Sequence, residues 1–262
     1  MDLDLRGKHA LVLGGSQGIG RASAHELALL GADVTVLSRS RDALEAVVAA
    51  LPCLHGAQRH GWVAADMSDH ASLRARVEAL SNGADVQILV NNTGGPASGP
   101  AHSATLDDFR NAFDQHLMAA QIIVQALLPG MQRGGYGRIV NVISTSVKEP
   151  IRNLGVSNTI RGAVANWAKT LAAELGSFGI TVNNVLPGYT RTGRLQQIIG
   201  DRMRTSGKDE AAISSGMLSS VPMLRFGEAT EIAAVIAFLA TPAAGYVNGV
   251  NIPVDGGRTL SL

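Results

Sequence analysis

The chain has 262 residues, a formal net charge of +1, 46% hydrophobic residues and 16% charged residues. The charged share is below the roughly 25% of an ordinary soluble domain, so either the core is large or some outer surface is buried against further copies of the chain. A nearly neutral chain without runs of like charge gives no electrostatic case for binding nucleic acid or an anionic membrane.

Other features of the composition exclude further classes of protein. The single cysteine excludes an intramolecular disulfide, and no metal site is predicted. The longest apolar run near the C-terminus, 232–240, is too short for the roughly 20 residues of a membrane-spanning helix. The N-terminal segment MDLDLRGKHALVLGG contains two acidic side chains and reaches a glycine turn, unlike a secretory signal or a transit peptide. The sequence therefore predicts a cytoplasmic protein.

Short apolar runs bounded by glycine or polar residues alternate with helical stretches in chain order. The strand-like runs are HALVLG, DVTVLS, HGWVAAD, VQILVNN, GRIVNVIS, ITVNNVL and GVNIPVD. The helical stretches are residues 19–30, 41–51, 70–80, 105–131, 157–177 and 228–240. This order predicts a parallel sheet covered by helices on both faces, and strands that are apolar throughout are typical of such a sheet.

No linker or change of pattern divides the chain. We therefore predict an α/β fold with a single doubly wound parallel sheet of about seven strands, of the Rossmann type, in one domain spanning residues 1–262. In an open sheet of this kind, ligands bind beyond the carboxyl ends of the strands. The segment at about 190–223 leaves one of these ends, is polar and of mixed charge, and is predicted to be a loop that sets substrate specificity.

A glycine-rich turn, GGSQGIG, follows the first predicted strand and leads into a helix. Glycines allow a tight turn in which backbone N–H groups approach a phosphate at a helix N-terminus. The spacing of Gly14, Gly18 and Gly20 differs from the commoner Gly-x-Gly-x-x-Gly dinucleotide fingerprint. Such a turn alone is not specific for phosphate, since many strand–helix loops contain glycine for steric reasons.

Five motifs in order make the chain similar to the short-chain dehydrogenase/reductase family along nearly its whole length. They are the nucleotide turn LGGSQGIG, the strand end NNTG, the fifth strand GRIVNVIS, the turn PGYTRT, and the C-terminal segments RFGEATEIAAVIAFLA and GVNIPVDGG. Leu13 stands where the family's nucleotide turn has threonine. The general appearance is close to that of bacterial 3-oxoacyl carrier-protein reductases. The resemblance implies a Rossmann-type fold that binds a nicotinamide dinucleotide.

The resemblance implies cofactor contacts residue by residue. The glycines of the turn would hold the pyrophosphate, residues 92–94 would line the adenosine ribose side, and the PGYTRT turn would contact the nicotinamide half. Asp66, beside Met67, would bind the adenine edge, the alternative being that it caps the following helix. The full set is Gly14, Ser16, Gln17, Gly18, Ile19, Gly20, Ser38, Arg39, Asp66, Met67, Asn92, Thr93, Gly94, Arg161, Pro187, Gly188 and Thr192.

The end of the second predicted strand bears on the choice of cofactor. NAD-preferring dinucleotide folds place Asp or Glu here to bind the ribose 2′-hydroxyl, and that carboxylate repels a 2′-phosphate. Ser38 occupies the acidic position, and Arg39 offers a guanidinium that suits a phosphate by charge and geometry. The pattern favours NADP(H) over NAD(H), the alternative being that Arg39 is only solvated.

Three of the family's four catalytic positions are altered. The active-site serine of the family falls at Ser144, its Tyr-x-x-x-Lys pair falls on Ser157 and Arg161, and its helical asparagine falls on His116. A tyrosine of pKa about 10, lowered by a neighbouring lysine, exchanges protons near neutral pH. A serine hydroxyl is far less acidic and needs an adjacent base, and an arginine stays charged at any working pH. The usual proton donor is therefore missing.

Two residues are candidates for a replacement proton donor. Of the three tyrosines, Tyr136 precedes the fifth strand at the wrong end of the sheet, and Tyr246 lies in a C-terminal turn. Tyr189 follows the sixth strand at its carboxyl end, where the nicotinamide is expected. His116 is also suited to proton transfer, because an unperturbed histidine has a pKa near 6.5. The alternatives are that Tyr189 packs under the substrate loop and that His116 is a hydrogen-bond partner on a helix face.

Three functions remain open from the sequence. The first is an NADP(H)-dependent oxidoreductase of a small carbonyl or hydroxyl compound, in which Ser144 polarises the carbonyl and Arg161 anchors the nicotinamide ribose. In this hypothesis His116 or Tyr189 supplies the proton. The second is an NADP(H)-binding protein of the same fold with little redox activity, acting as a sensor or a partner subunit. The third is isomerase or lyase chemistry in the same pocket.

The chain is also predicted to form a homotetramer, or at least a homodimer. The predicted helices at 105–131 and 157–177 are apolar on more than one side, so each must bury a second face. In the family these two helices form the main dimer contact, and the last helix and strand form the other contact.

Overall fold

The computed structural model describes residues 1–261, which fold around a seven-stranded parallel sheet. The strands in chain order are β1 (His9–Leu13), β2 (Asp33–Ser38), β3 (His60–Ala64), β4 (Ile88–Asn91), β5 (Gly137–Val142), β6 (Ile180–Pro187), β7 (Thr190–Arg191), β8 (Gly227–Glu228) and β9 (Asn251–Val254). The sheet has the order β3-β2-β1-β4-β5-β6-β9, and β7 pairs separately with β8. The predicted Rossmann-type α/β fold is confirmed; Leu262, which ends the predicted domain, lies outside the described residues.

This part of the chain contains nine α-helices. They are α1 (Gly18–Leu29), α2 (Arg41–Ala49), α3 (His70–Gly83), α4 (Leu106–Phe113), α5 (Ala119–Gly134), α6 (Gly155–Leu175), α7 (Gly193–Ser206), α8 (Glu210–Leu218) and α9 (Ala229–Ala240). Within residues 1–261, no helix is both long enough and apolar enough to cross a lipid bilayer.

Alternate side chains of each strand enter two separate cores. In β1, Ala10 and Val12 pack beneath α1 and α9, whereas Leu11 and Leu13 pack on the other face beneath α3, α5 and α6. All four side chains are fully buried. Each fully buried leucine contributes about 1.5–3 kcal/mol relative to an exposed one, so both faces of the strand favour apolar residues. This is why the strands read as apolar runs rather than as an alternating pattern.

The stretch predicted as one helix at 105–131 contains an irregularity. A π-helical turn, Asp114–Met118, joins α4 to α5, and the helical segment continues to Gly134. A capping box fixes its start, because the Thr105 hydroxyl accepts the N–H of Asp108 and the Asp108 carboxylate accepts the N–H of Thr105. Widened turns of this kind are rare and often lie at functional sites.

The prediction of a polar loop at 190–223 was wrong, because most of this segment forms α7 and α8. Leu195 and Ile199, four residues apart on α7, bury one helix face together with Met217 of α8 and with Phe226. The apolar stripe is narrow, and polar side chains occupy the other positions of α7. A helical pair, rather than an open loop, therefore connects β7 to β8.

Asparagine side chains link four neighbouring strands of the sheet. The amide of Asn91 on β4 donates to Asn141 on β5 at 3.1 Å, and Asn141 donates to Asn184 on β6 at 2.9 Å. Asn184 in turn donates to Asn251 on β9 at 2.8 Å, and in the sheet register each pair stands directly opposite. Each amide donates to the next, so the chain of hydrogen bonds favours this register of the strands that carry the candidate site, although the Oδ1 of Asn91 has no partner among the described residues.

Candidate active site

A cleft of about 660 Å³ opens at the carboxyl ends of the strands, next to the point where the strand order reverses between β1 and β4. Every residue predicted to bind the cofactor lines this cleft except Gly20. Among the predicted catalytic residues, His116 does not line it. Those that line it are Ser144, Ser157, Arg161 and Tyr189.

The turn after β1 fits a phosphate. The helix α1 begins at Gly18 with no side chain capping its first N–H groups and no acidic residue in its first turn, whereas side chains cap α2 and α3. Free N–H groups and the positive end of the helix dipole favour an anion here. Gly14 has a φ of +59°, and a Cβ there would lie 2.7 Å from Asn92. Gly20 is set behind the cleft, where a Cβ would collide with the carbonyl oxygen of Gly14.

The end of β2 offers a hydroxyl and a guanidinium side by side. The Ser38 hydroxyl is buried and has no hydrogen-bond partner within residues 1–261, so a bound polar group would satisfy it. Arg39 is exposed at the wall of the cleft. The adjacent pair suits a phosphorylated ribose, because a guanidinium attracts a phosphate and no carboxylate stands at position 38 to repel it.

Asp66 lies at the wall of the cleft beyond β3. Its carboxylate accepts hydrogen bonds from the Ser68 hydroxyl at 2.6 Å and from the Ser68 N–H at 2.9 Å. These bonds, helped by the charge of Arg39, lower the pKa of Asp66 below its ordinary value. The alternative that Asp66 caps the next helix is wrong, because Asp69 caps α3.

Arg161 reaches from α6 to the ends of two strands and is only 7% exposed. Its Nη1 donates to the carbonyl oxygen of Val142 at 3.0 Å, and its Nη2 donates to that of Thr93 at 3.4 Å. Burial, together with the charge of Arg194, lowers the pKa of Arg161 to about 10, so the guanidinium stays charged at neutral pH. A buried cation needs compensation, and among the described residues no carboxylate pairs with Arg161. The cleft side of this arginine is therefore suited to an anionic or hydroxyl-rich ligand.

His116 lies in the π-helical turn behind the cleft and is 4% exposed. Its Nδ1 is hydrogen-bonded to the hydroxyl of Thr93, whose carbonyl accepts from Arg161. Burial and the charge of Arg161 lower the pKa of His116 to about 2, so the imidazole is neutral at any working pH. The surroundings match the alternative in which His116 is a hydrogen-bond partner, here one that holds Thr93 in place.

We expect His116 to make the protein sensitive to acid. Between its unfolded pKa near 6.5 and its native pKa of about 2, only the unfolded chain binds the proton, so stability falls as the pH falls. The unfolding free energy of the unmodified chain should fall on going from pH 7 to pH 5. In His116→Asn, which carries the family's residue, that fall should be smaller by about 2 kcal/mol. Urea unfolding at both pH values measures this, with the exposed His25→Asn as the control. An unchanged pH dependence in His116→Asn would contradict the assignment.

The two serines predicted to be catalytic, Ser144 and Ser157, differ in the hydrogen bonds that their hydroxyls make. The Ser144 oxygen accepts the N–H of Ser146 at 3.0 Å, which fixes the hydroxyl while leaving its proton available to a substrate oxygen. Ser157, in the first turn of α6, is 8% exposed at the cleft wall. Within residues 1–261 no histidine or carboxylate is hydrogen-bonded to Ser157, so nothing activates it as a base or nucleophile.

Tyr189 lies between the apolar cluster under α7 and the cleft. Its ring meets Phe226 edge-on, with centroids 6.4 Å apart and planes at 89°. The guanidinium carbons of Arg258 and Arg202 lie 4.7 Å and 6.0 Å from the centre of the same ring. The ring thus packs under α7, in the segment that was predicted to be the substrate loop, and it also lines the cleft.

The other two tyrosines of the chain lie away from the cleft. Tyr136 donates its hydroxyl to the carbonyl oxygen of Ala240 at 2.6 Å, before β5 begins. Tyr246 is fully exposed. Of the three tyrosines, Tyr189 alone lines the cleft.

Sequence analysis missed three arginines that also line the cleft, Arg194, Arg202 and Arg258. Arg194 donates to the carbonyl oxygen of Pro96 at 2.7 Å and so links α7 to the segment after β4. Arg194 and Arg202 lie on α7, in the segment that was wrongly predicted to be a loop. Arg258 follows a glycine pair beyond β9, and its position at the carboxyl end of a parallel strand was the signal that could have found it.

Comparison with known proteins identifies the family. The family model described as enoyl-(acyl carrier protein) reductase matches residues 14–259. The chain belongs to the short-chain dehydrogenase/reductase family, as its motifs predicted.

Relatives resemble the chain along its whole length. The 3-oxoacyl-(acyl-carrier-protein) reductase FabG of Haemophilus influenzae is 34% identical over 98% of this chain and 100% of its own. The NADPH-dependent reductase BacG of Bacillus subtilis is 31% identical over 97% of this chain and 98% of its own. The crystal structure of L-sorbose reductase from Gluconobacter frateurii, complexed with NADPH and L-sorbose, matches with a TM-score of 0.92 at 29% identity, covering 100% of both chains.

Proposed function

We propose that the chain is an NADP(H)-dependent oxidoreductase that reduces the carbonyl group of a small molecule, or oxidises the corresponding alcohol. The observation that carries the proposal is a single cleft containing the phosphate-binding turn, the Ser38–Arg39 pair and the Ser144 hydroxyl. Relatives along the full length of the chain are named as reductases, and two of them are named with NADPH. A protein that only binds nucleotide would not need a fixed serine hydroxyl that donates a hydrogen bond at the substrate end of the cleft.

Each residue of the cleft has a defined task in this reaction. NADPH, when bound, supplies the hydride that the carbonyl carbon accepts. Ser144 donates a hydrogen bond to the carbonyl oxygen and favours the negative charge that develops there. Tyr189 gives its hydroxyl proton to that oxygen, and Arg161 holds the ribose beside the nicotinamide. His116 positions Thr93, and Ser157 leaves space where the family has tyrosine.

The proposal is tested by turnover. The purified chain is incubated with NADPH and a panel of ketones, aldehydes and keto acids, and loss of NADPH is followed together with formation of the alcohol. Reduction of at least one carbonyl compound that is lost in Ser144→Ala supports the proposal. Tight binding of NADPH without any turnover contradicts it and favours the nucleotide-binding protein. Conversion of a substrate with NADPH unconsumed favours isomerase or lyase chemistry.

NADPH is expected to bind more tightly than NADH. The charge of Arg39 attracts the 2′-phosphate, and the Ser38 hydroxyl has no partner inside the described chain. Ser38→Asp places a carboxylate against that phosphate and should reverse the preference, with NADPH weakened at least about tenfold, or about 1.4 kcal/mol. Fluorescence titration of both cofactors decides the matter. Equal binding by the unmodified chain, or an unaltered ratio in Ser38→Asp, would refute this assignment.

The protein is proposed to form a homotetramer or a homodimer through α4, α5 and α6. Phe113, directly before the π-helical turn, and Met118, its last residue, each leave 38% of their surface exposed. Light scattering at micromolar concentration should give a multiple of the chain mass, and Met118→Glu should lower it. The matched control is Leu54→Glu, which alters an apolar residue that is also exposed, in the loop between α2 and β3. A monomer for the unmodified chain would overturn the proposal.

A further inference from the structure

Two guanidinium groups face one aromatic ring at the substrate end of the cleft. Arg258, beyond β9, and Arg202, on α7, both lie against Tyr189, 4.7 Å and 6.0 Å from its ring centre. Both arginines line the same cleft as Ser144. Two like charges near one ring repel each other, and a negative charge bound beside them would offset that repulsion.

The described chain does not supply that negative charge. Within residues 1–261 no carboxylate forms an ion pair with Arg202 or Arg258, and Asp66, at the adenine end, is the only acidic residue of the cleft wall. The carboxylates near them in sequence are already engaged. Asp201 pairs with Arg204, and Asp255 accepts the N–H groups of residues 257 and 259.

Arg258 also has an unused hydrogen-bond donor. Its Nε is buried and has no partner among the described residues. Its Nη1 makes only a long bond, 3.4 Å, to the hydroxyl of Thr145, the residue directly after Ser144. The unsatisfied guanidinium therefore lies one residue from the hydroxyl that would polarise the carbonyl.

The phosphates of the cofactor do not account for these arginines. The phosphate-binding turn follows β1 and Arg39 follows β2, whereas Arg258 follows β9. The Arg258 side chain reaches Thr145 and Tyr189, beyond β5 and β6, and β5 lies two strand positions, or roughly 10 Å, from β1 at ordinary strand spacing. That distance exceeds a hydrogen bond, so a phosphate held at the turn after β1 does not satisfy the Arg258 guanidinium.

We propose that the substrate carries an oxyanion, a carboxylate or a phosphate, that binds between Arg258 and Arg202 while its carbonyl group lies at Ser144. Guanidinium groups bind both oxyanions through paired N–H donors. This inference rests on the proposed oxidoreductase function for the identity of the reacting group. The anion site itself rests on the two arginines alone and is measured separately.

The first test measures binding without turnover. Glutarate and inorganic phosphate are titrated into the protein loaded with NADP⁺, and the shift in melting temperature is recorded. One of the two anions should stabilise the unmodified chain, Arg258→Gln and Arg202→Gln should lose the shift, and Arg258→Lys should keep part of it. Arg152→Gln, an exposed arginine outside the cleft wall, is the matched control and should keep the whole shift. No shift with either anion, or an equal shift in Arg258→Gln, overturns the anion site.

The second test measures substrate selectivity. It compares 3-oxobutanoate with its methyl ester, and dihydroxyacetone phosphate with dihydroxyacetone, by kcat/KM with NADPH. The anion of at least one pair should be preferred by about tenfold or more, and Arg258→Gln should remove the preference while Arg152→Gln retains it. An equal or better rate for both neutral partners overturns the proposal. Anion binding without any turnover would keep the anion site and contradict the oxidoreductase function instead.

Discussion

Tyr189→Phe is expected to lower kcat/KM for carbonyl reduction by about 100-fold, the scale of a lost general acid. The substitution removes only the hydroxyl, so the edge-on contact with Phe226 and the two arginines on the ring are retained. The affinity for NADPH should not change, because the loss falls on proton transfer alone. Steady-state kinetics and fluorescence titration of NADPH measure the two quantities separately.

Two further variants identify the proton donor by exclusion. His116→Asn should change the rate only a few-fold, because the neutral imidazole lies behind Thr93 and does not reach the cleft. Ser157→Ala should also have a small effect, since none of the described histidines or carboxylates is hydrogen-bonded to Ser157. If Tyr189→Phe leaves the rate intact while Ser157→Ala abolishes it, Ser157 has taken the tyrosine's place and the assignment of Tyr189 is wrong.

Restoring the family's catalytic pair, by Ser157→Tyr together with Arg161→Lys, is expected to lower activity rather than raise it. Arg161 spans two carbonyl oxygens, on Val142 and Thr93, with two different nitrogens of one guanidinium. The single nitrogen of a lysine does not reproduce this fork. Losing one hydrogen bond of a charged group costs about 1.5–3 kcal/mol, which corresponds to a loss of roughly 10- to 100-fold if it is felt in the transition state.

Arg161→Lys alone is the control for the restored pair. If the pocket is built around arginine, the single and double variants should both lose activity, and NADPH should bind more weakly to both. A gain in kcat in the double variant would instead mean that the cleft is that of an ordinary family member with two damaged positions. The proposal that Tyr189 and Arg161 take over the tasks of the family's tyrosine and lysine would then be wrong.

The sheet followed from the sequence because its strands are buried on both faces. The run DVTVLS corresponds to β2 from its first residue to its last, since apolar side chains are needed on either side of a covered strand. The ends of the helices were predicted less accurately than those of the strands. The predicted stretch 70–80 ends three residues before α3 does, at Gly83, because polar residues continue the last turn without an apolar signal.

The cofactor end of the site could be predicted and the substrate end could not. Glycine spacing and the end of β2 are local patterns, and the residues they indicated line one cleft. Arg202 and Arg258 are far apart in the chain, and they come together only because α7 and the segment after β9 both place an arginine against Tyr189. The burial of His116 was likewise invisible, since it depends on Thr93 and Arg161 meeting it from two other elements.

The most direct measurement follows a hydride from cofactor to product. The protein is incubated with NADPH carrying deuterium at C4 of the nicotinamide, in each of its two stereochemical forms, and with a ketone bearing a carboxylate or a phosphate. We predict deuterium on the carbinol carbon of the product from one form only, and none with Ser144→Ala. Bound NADPH that keeps its deuterium while every carbonyl compound stays unreduced would contradict the oxidoreductase assignment.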